Sequence, residues 1–137
     1  MPSDLKNLLE QNQVDGTVLV QVNQSSEENH FMLALAKEND FIKGIVGWVD
    51  LQSESITEDL TILKQYNKLK GFRHILQAEK EADFMLRPNF KRGIAALAAH
   101  NYTLDLLIYP HQLAAARVLV NSYPNQLFVI GNVIYKI

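Results

Sequence analysis

Thr17-Val18-Leu19-Val20-Gln21-Val22 runs directly into Asn23-Gln24-Ser25-Ser26-Glu27-Glu28, and the architecture of the chain follows from that junction. The first six residues are mostly β-branched and almost continuously apolar, as in a strand covered on both faces. Ser25 and Glu28 stand at the spacing of a capping box. Phe31, Leu33, Ala34 and Leu35 then carry a helix to about Asn39. A strand that delivers the chain straight into a capped helix is one βα unit.

Outward from this unit the pattern repeats. Ahead of it, Leu5, Leu8 and Leu9 recur at helical spacing behind Pro2 and Ser3, and Asp15-Gly16 ends that helix. Beyond it, strands are expected at about 42–49, 70–76, 102–109 and 127–130, with helices at about 56–66, around Ile94-Ala95 and Leu97-Ala98, and at 113–120. Each unit takes roughly 25 to 35 residues, the size of a βα repeat. The longest connection, 77–88, follows the third strand, and long loops beside strand ends tend to carry function.

Such alternation implies parallel strands joined by right-handed crossovers, either in an open doubly wound sheet or in a closed barrel. An open sheet usually begins with its central strand, whereas here a helix comes first and a strand last. Polar Gln21, Arg73 and Asp105 within the strands suit a barrel lumen better than a dry sheet face. The expected fold is α/β: an incomplete TIM-type barrel of about five parallel strands, forming one partial domain over residues 1–137 without the barrel's first and last strands. The competing architecture is a small flavodoxin-like domain, with Asn23-Gln24-Ser25-Ser26 as its phosphate loop.

Composition narrows the partners. The 137 residues are 47% hydrophobic and 20% charged, ordinary for a folded domain. A net charge of −2 without a basic cluster gives no footprint for nucleic acid or an anionic membrane. No apolar run approaches the roughly 18 residues of a membrane span, and residues 1–13 lack the apolar segment of a signal peptide. The absence of cysteine removes thiolate chemistry and fits a reducing cytoplasm, the expected location.

In either architecture ligands bind at the C-terminal strand ends. Those ends carry Gln21 and Asn23, Trp48 and Asp50, Arg73, His74 and Gln77, Asp105 and Tyr109, and Gly131 and Asn132. Guanidinium, imidazole, phenol and amides suit an oxygen-rich, anionic substrate. Period-two alternation sends Arg73 and His74 to opposite faces and puts Asp105 and Tyr109 on one face of the next strand. Arg73 then reads either as half of a buried ion pair with Asp105 or as a substrate-orienting arginine. His74 is either a satisfied core histidine or a general acid or base. Trp48 is a sugar-stacking platform or rim packing. Phe84-Met85-Leu86 with Arg87 forms a lid, or plugs the rim with Arg87 solvated. His30, His100 and His111 fall on helices or their ends, and no metal-binding spacing links any of the four histidines.

Gly47-Trp48-Val49-Asp50-Leu51, Leu69-Lys70-Gly71-Phe72-Arg73-His74, Asp83-Phe84-Met85-Leu86-Arg87-Pro88 with Phe90, and Leu104-Asp105-Leu106-Leu107 with Tyr109-Pro110 and Gln112-Leu113 follow one another in register. In that order they resemble the amidohydrolase-related barrel hydrolases, in the sugar-lactone and pyrone-dicarboxylate lactonase branch. The resemblance runs from Asp15 to Ile130 and implies hydrolysis of a lactone by water activated at the strand ends, with zinc or manganese in many members. It implies Arg73 and Arg87 as ligands of a substrate carboxylate or hydroxyls, with His74 and Tyr109 lining the pocket. It also marks departures. The family's His-x-His precedes this chain's first strand, its Asp-His pair is replaced by Gly131 and Asn132, its catalytic aspartate lies beyond Ile137, and residues 133–137 diverge from the family's continuation.

The chain is therefore expected to be an internal piece of such a barrel, inactive alone, or else a non-catalytic module that binds a lactone or sugar acid. Open sheet edges add an expectation of self-association or of a complementing chain.

Overall fold

A computed structural model of the chain describes residues 2–133. Five strands, β1 (Thr17–Val20), β2 (Ile42–Gly47), β3 (Leu69–His74), β4 (Thr103–Ile108) and β5 (Phe128–Val133), alternate with helices. These are α1 (Pro2–Gln11), α2 (Ser26–Glu38), α3 (Ile56–Leu63), α4 (Pro88–Ala99) and α5 (Leu113–Ser122). All four strand pairings are parallel, and the order in the sheet is β1-β2-β3-β4-β5. Strands neighbouring in sequence are neighbours in space throughout. A flavodoxin-like sheet would reverse direction at its first strand, so this order excludes that alternative and leaves the half of a β/α barrel.

The core lies between the sheet and the helices. Phe72 of β3 and Leu104, Leu106 and Ile108 of β4 are buried against Phe90, Ile94 and Leu97 of α4 and Leu119 of α5. Helix α4 sits so close to the β2–α3 connection that a Cβ on Gly93 would collide with the Leu51 carbonyl. Helices α1 and α4 both stop on a residue in the left-handed region, Gln13 at φ 55° and Asn101 at φ 58°. After α4 the Tyr102 N–H returns to the Leu97 carbonyl at 3.1 Å and the Asn101 N–H to Ala98 at 3.2 Å, a Schellman closure that asparagine tolerates well.

Element ends differ from the sequence reading for identifiable reasons. β1 stops at Val20 because Glu28 takes the Val22 and Asn23 amides, at 3.1 and 2.6 Å. The Ser25 hydroxyl does accept the Glu28 N–H, at 3.3 Å, so half of the expected capping box forms and its acidic half is redirected into the loop. β2 ends before Trp48 because the side chain of Asn29 takes over both backbone groups of Trp48. β5 runs to Val133 and is longer than the sequence suggested. The divergent tail anticipated over 133–137 falls, from 134 onward, outside the described residues.

Candidate functional site

Arg73 stands at the C-terminal end of β3 and reaches across β2 to Gln21. Its Nε donates to Gln21 Oε1 at 3.1 Å and its Nη2 to the same oxygen at 2.9 Å, with a further bond to the Gln21 carbonyl. Gln21 is fully buried and its Nε2 donates back to the Arg73 carbonyl at 3.4 Å. The guanidinium is thus aimed by a neutral amide. Asp105 is its register partner on β4, as alternation required. The ion pair offered as one of the two readings of Arg73 does not form, however: no carboxylate lies within ion-pair distance of Arg73 among the described residues. The guanidinium instead spends its donors on Gln21, across two strands rather than one.

Burial raises the Asp105 pKa above the ordinary carboxylate value, and the positive charge of Arg73 opposes that rise. A carboxyl whose folded-state pKa is raised costs stability as pH climbs from its unfolded value through its folded one, and costs nothing below both. Asp105→Asn is therefore expected to raise the melting midpoint at pH 7, by an amount on the order of a few degrees, and to leave it unchanged in acid. An equal shift at both pH values would mean the gain has another source.

The remaining strand-end residues are distributed unevenly. Tyr109 is half-buried after β4; its N–H donates to Gln112 Oε1 at 2.8 Å and its ring stacks on His111, 5.9 Å between centroids. Trp48 is half-buried, and its indole Nε1 is buried without a hydrogen-bond partner. Arg87 is turned toward its own loop: it pairs with Glu81 at 2.6 Å and lies over the Phe84 ring at 4.5 Å, partly exposed. His74 lies on the face opposite Arg73, in the helix-facing core, with Nε2 2.8 Å from Glu79 Oε1. Its ring stacks on Phe84 at 5.3 Å and meets the edge of Phe90 at 5.4 Å. The structure therefore brings Gln21, Arg73 and Asp105 together and separates His74 and Arg87 from them. Phe84 and Met85, one reading of which was a lid, are buried in the core.

Amide side chains also hold the strand ends, a role the sequence reading gave to none of them. Gln24 Oε1 accepts the Ile75 N–H at 2.9 Å, Gln77 Nε2 donates to the Ile108 carbonyl at 3.0 Å, and buried Gln112 donates to the Leu76 carbonyl at 2.7 Å. Asn29 was legible in principle, as the polar member of the buried α2 stripe Asn29, Met32 and Ala36. Clefts of about 370 and 360 Å³ lie along α2 and α3, and neither includes Arg73. The chemistry at Arg73, on the face that an unclosed sheet leaves open, is the better guide to a site than those clefts.

A curved parallel β/α array with polar side chains at its C-terminal strand ends defines a barrel-type hydrolase scaffold. No family model matches the chain. It is 33% identical over 131 residues to an L-fucono-1,5-lactonase of Burkholderia ambifaria, covering 96% of this chain and 45% of that protein. An amidohydrolase from Burkholderia multivorans, solved with bound HEPES, superposes with a TM-score of 0.89 at 30% identity, over 95% of this chain and 45% of that one. The same amidohydrolase solved with bound zinc gives 0.86 at 29%, over 93% and 45%. A probable 2-pyrone-4,6-dicarboxylic acid hydrolase from Acinetobacter baumannii shares the fold, with a TM-score of 0.73 at 17% identity over 90% of this chain and 45% of that one. Nearly the whole chain is thus similar to part of an amidohydrolase-related protein of the lactonase branch, and it spans about 45% of the length of the curated relative it matches.

Proposed function

We propose that this chain is the substrate-binding portion of a lactone-hydrolysing protein, a partial barrel without the family's first and last strands, and that Arg73 receives the carboxylate or ring oxygens of a sugar lactone or sugar acid. The observation that carries the reading is a half-buried guanidinium with no carboxylate partner, oriented at a strand end by Gln21. A cation kept partly from water, with Asp105 near enough to feel its charge but no carboxylate in direct ion-pair contact, is a site for an anionic or oxygen-rich ligand. Asp105, Tyr109 and Trp48 line the same rim in this reading, and Arg87 would join only by leaving Glu81.

In the relatives' reaction water adds to a lactone carbonyl and opens the ring. The zinc or manganese implied by the family does not fit the residues present: among the described residues no group of three or more His, Cys, Asp or Glu could hold a metal ion. His74 is committed to Glu79 between two phenylalanines. No step is therefore derived through a metal, and the chain by itself is proposed to bind without turnover. That makes the non-catalytic binding module the second reading, with the same Arg73 contacts. Among the described residues no helix is long and apolar enough to cross a membrane. A cytoplasmic setting belongs to the proposal, with which the cysteine-free sequence accords.

Thermal shift with aldonic acids and dicarboxylates tests the binding. A ligand at a hundredfold excess over its Kd stabilises by about 2.7 kcal/mol, so a raised midpoint is expected, and it should be lost in Arg73→Ala. No shift with any of them removes the proposal's support. Lactone hydrolysis measured with and without zinc or manganese separates the two readings. Absent turnover favours the module, whereas metal-dependent turnover lost in Arg73→Ala restores the hydrolase.

A further inference from the structure

A guanidinium holds a carboxylate best through a fork, two parallel N–H groups on two oxygens, and it offers two such forks: Nε with Nη2, and Nη1 with Nη2. In Arg73 both are already committed. The first closes on a single acceptor, Gln21 Oε1, with Nε at 3.1 Å and Nη2 at 2.9 Å. Nη2 donates as well to the Gln21 carbonyl, so its two protons meet two acceptors and the second fork lacks one prong. The clamp is held from both sides. Gln21 is fully buried and its Nε2 returns to the Arg73 carbonyl at 3.4 Å, while Gln24 latches the loop that follows to the end of β3 by accepting the Ile75 N–H at 2.9 Å. The donor left for a ligand is Nη1, which makes no hydrogen bond among the described residues. Asp105 sets a second condition. It is the register partner of Arg73 on β4, shares its face of the sheet, and stands near enough for the Arg73 charge to act on its carboxyl. An incoming carboxylate meets a like charge there, and a neutral ring does not.

We infer that Gln21 and Asp105 make Arg73 selective for a neutral lactone over the sugar acid formed by opening it, with Nη1 giving a single-point contact to one ring or hydroxyl oxygen in place of a forked contact to a carboxylate. The inference rests on the reading of Arg73 as a ligand site and narrows it from lactone or acid to lactone. Every contact it uses lies within this chain. In the relatives' reaction the lactone is neutral and the ring-opened hydroxy acid is an anion at neutral pH, so a site of this kind favours the closed ring over the open one.

Calorimetric titration of the full chain at neutral pH, with a hexono-1,4-lactone and with the aldonate it opens to, is expected to show the lactone bound about tenfold more tightly or better, the scale of one charge-assisted contact. Gln21→Ala frees the first fork and leaves room beside it for a carboxylate, so it should raise the aldonate's affinity until the preference is lost or reversed. Asp105→Asn removes the like charge without touching the clamp. It should raise the aldonate's affinity several-fold and leave the lactone's unchanged, and it carries the test if Gln21→Ala does not fold. An aldonate bound by the wild-type chain as tightly as the lactone overturns the inference while leaving Arg73 a ligand site. A preference unchanged in the variants overturns the assignment to Gln21 and Asp105. Binding of neither ligand removes the reading of Arg73 and this inference together.

Discussion

Phe90→Ala is expected to destabilise the chain by about 3–5 kcal/mol, read as a lower urea midpoint at unchanged slope. Phe90 is fully buried at the start of α4 and makes edge-on contacts with His74 at 5.4 Å and Phe84 at 5.6 Å. Alanine removes the ring's transfer free energy and leaves a cavity lined by side chains that cannot all move. His74 is held by Glu79, and Phe84 is held between His74 and the Arg87 guanidinium. Against a total stability of about 5–15 kcal/mol, a loss of that size is a large share of the whole. The connection 77–88 should loosen with it, because buried Phe84 and Met85, in the short 3-10 turn Phe84–Leu86, anchor that connection to the core. Faster proteolytic cleavage within it is the second readout. A destabilisation below about 1 kcal/mol would mean that the aromatic cluster collapses freely and is not the anchor.

The same cluster marks where the sequence stopped being legible. The repeat itself was readable because parallel strands covered on both faces announce themselves as apolar runs between capped helices, and strand order then follows from short crossovers. Alternation placed Arg73 and His74 on opposite faces and set Arg73 opposite Asp105, and both placements hold. What alternation could not give was the partner of Arg73. A guanidinium on a long stem reaches past its register neighbour, and the choice between Asp105 and Gln21 depends on where the backbone turns after β1. Phe84 and Met85 were ambiguous for a related reason. Three consecutive apolar residues in a long connection show no period, and contact with His74 and Phe90 is what makes Phe84 core. The amide clamps were harder still, since glutamine and asparagine are common on surfaces and their bonds here join residues 24 and 75, 112 and 76, and 29 and 48.

Asn29 is the sharpest of those clamps. It is buried on α2 and completes both hydrogen bonds of the Trp48 backbone: Oδ1 accepts the Trp48 N–H at 2.9 Å and Nδ2 donates to the Trp48 carbonyl at 2.5 Å. The amide thus acts as one more rung of ladder where β2 leaves the sheet, and Gly47 has no Cβ because Asn29 Oδ1 would lie 2.5 Å from it. Asn29→Leu strands a buried donor and a buried acceptor together, at about 1–3 kcal/mol for each, so a loss of roughly 2–5 kcal/mol is expected. Asn29→Asp separates shape from chemistry. It keeps the outline and the acceptor for Trp48 N–H, yet sets a carboxylate oxygen against the Trp48 carbonyl. Its cost should be largest at neutral pH and shrink in acid, where the protonated carboxyl donates in place of the amide. A fully stable Asn29→Leu protein would show that water satisfies Trp48 and that α2 does not set the position of that strand end.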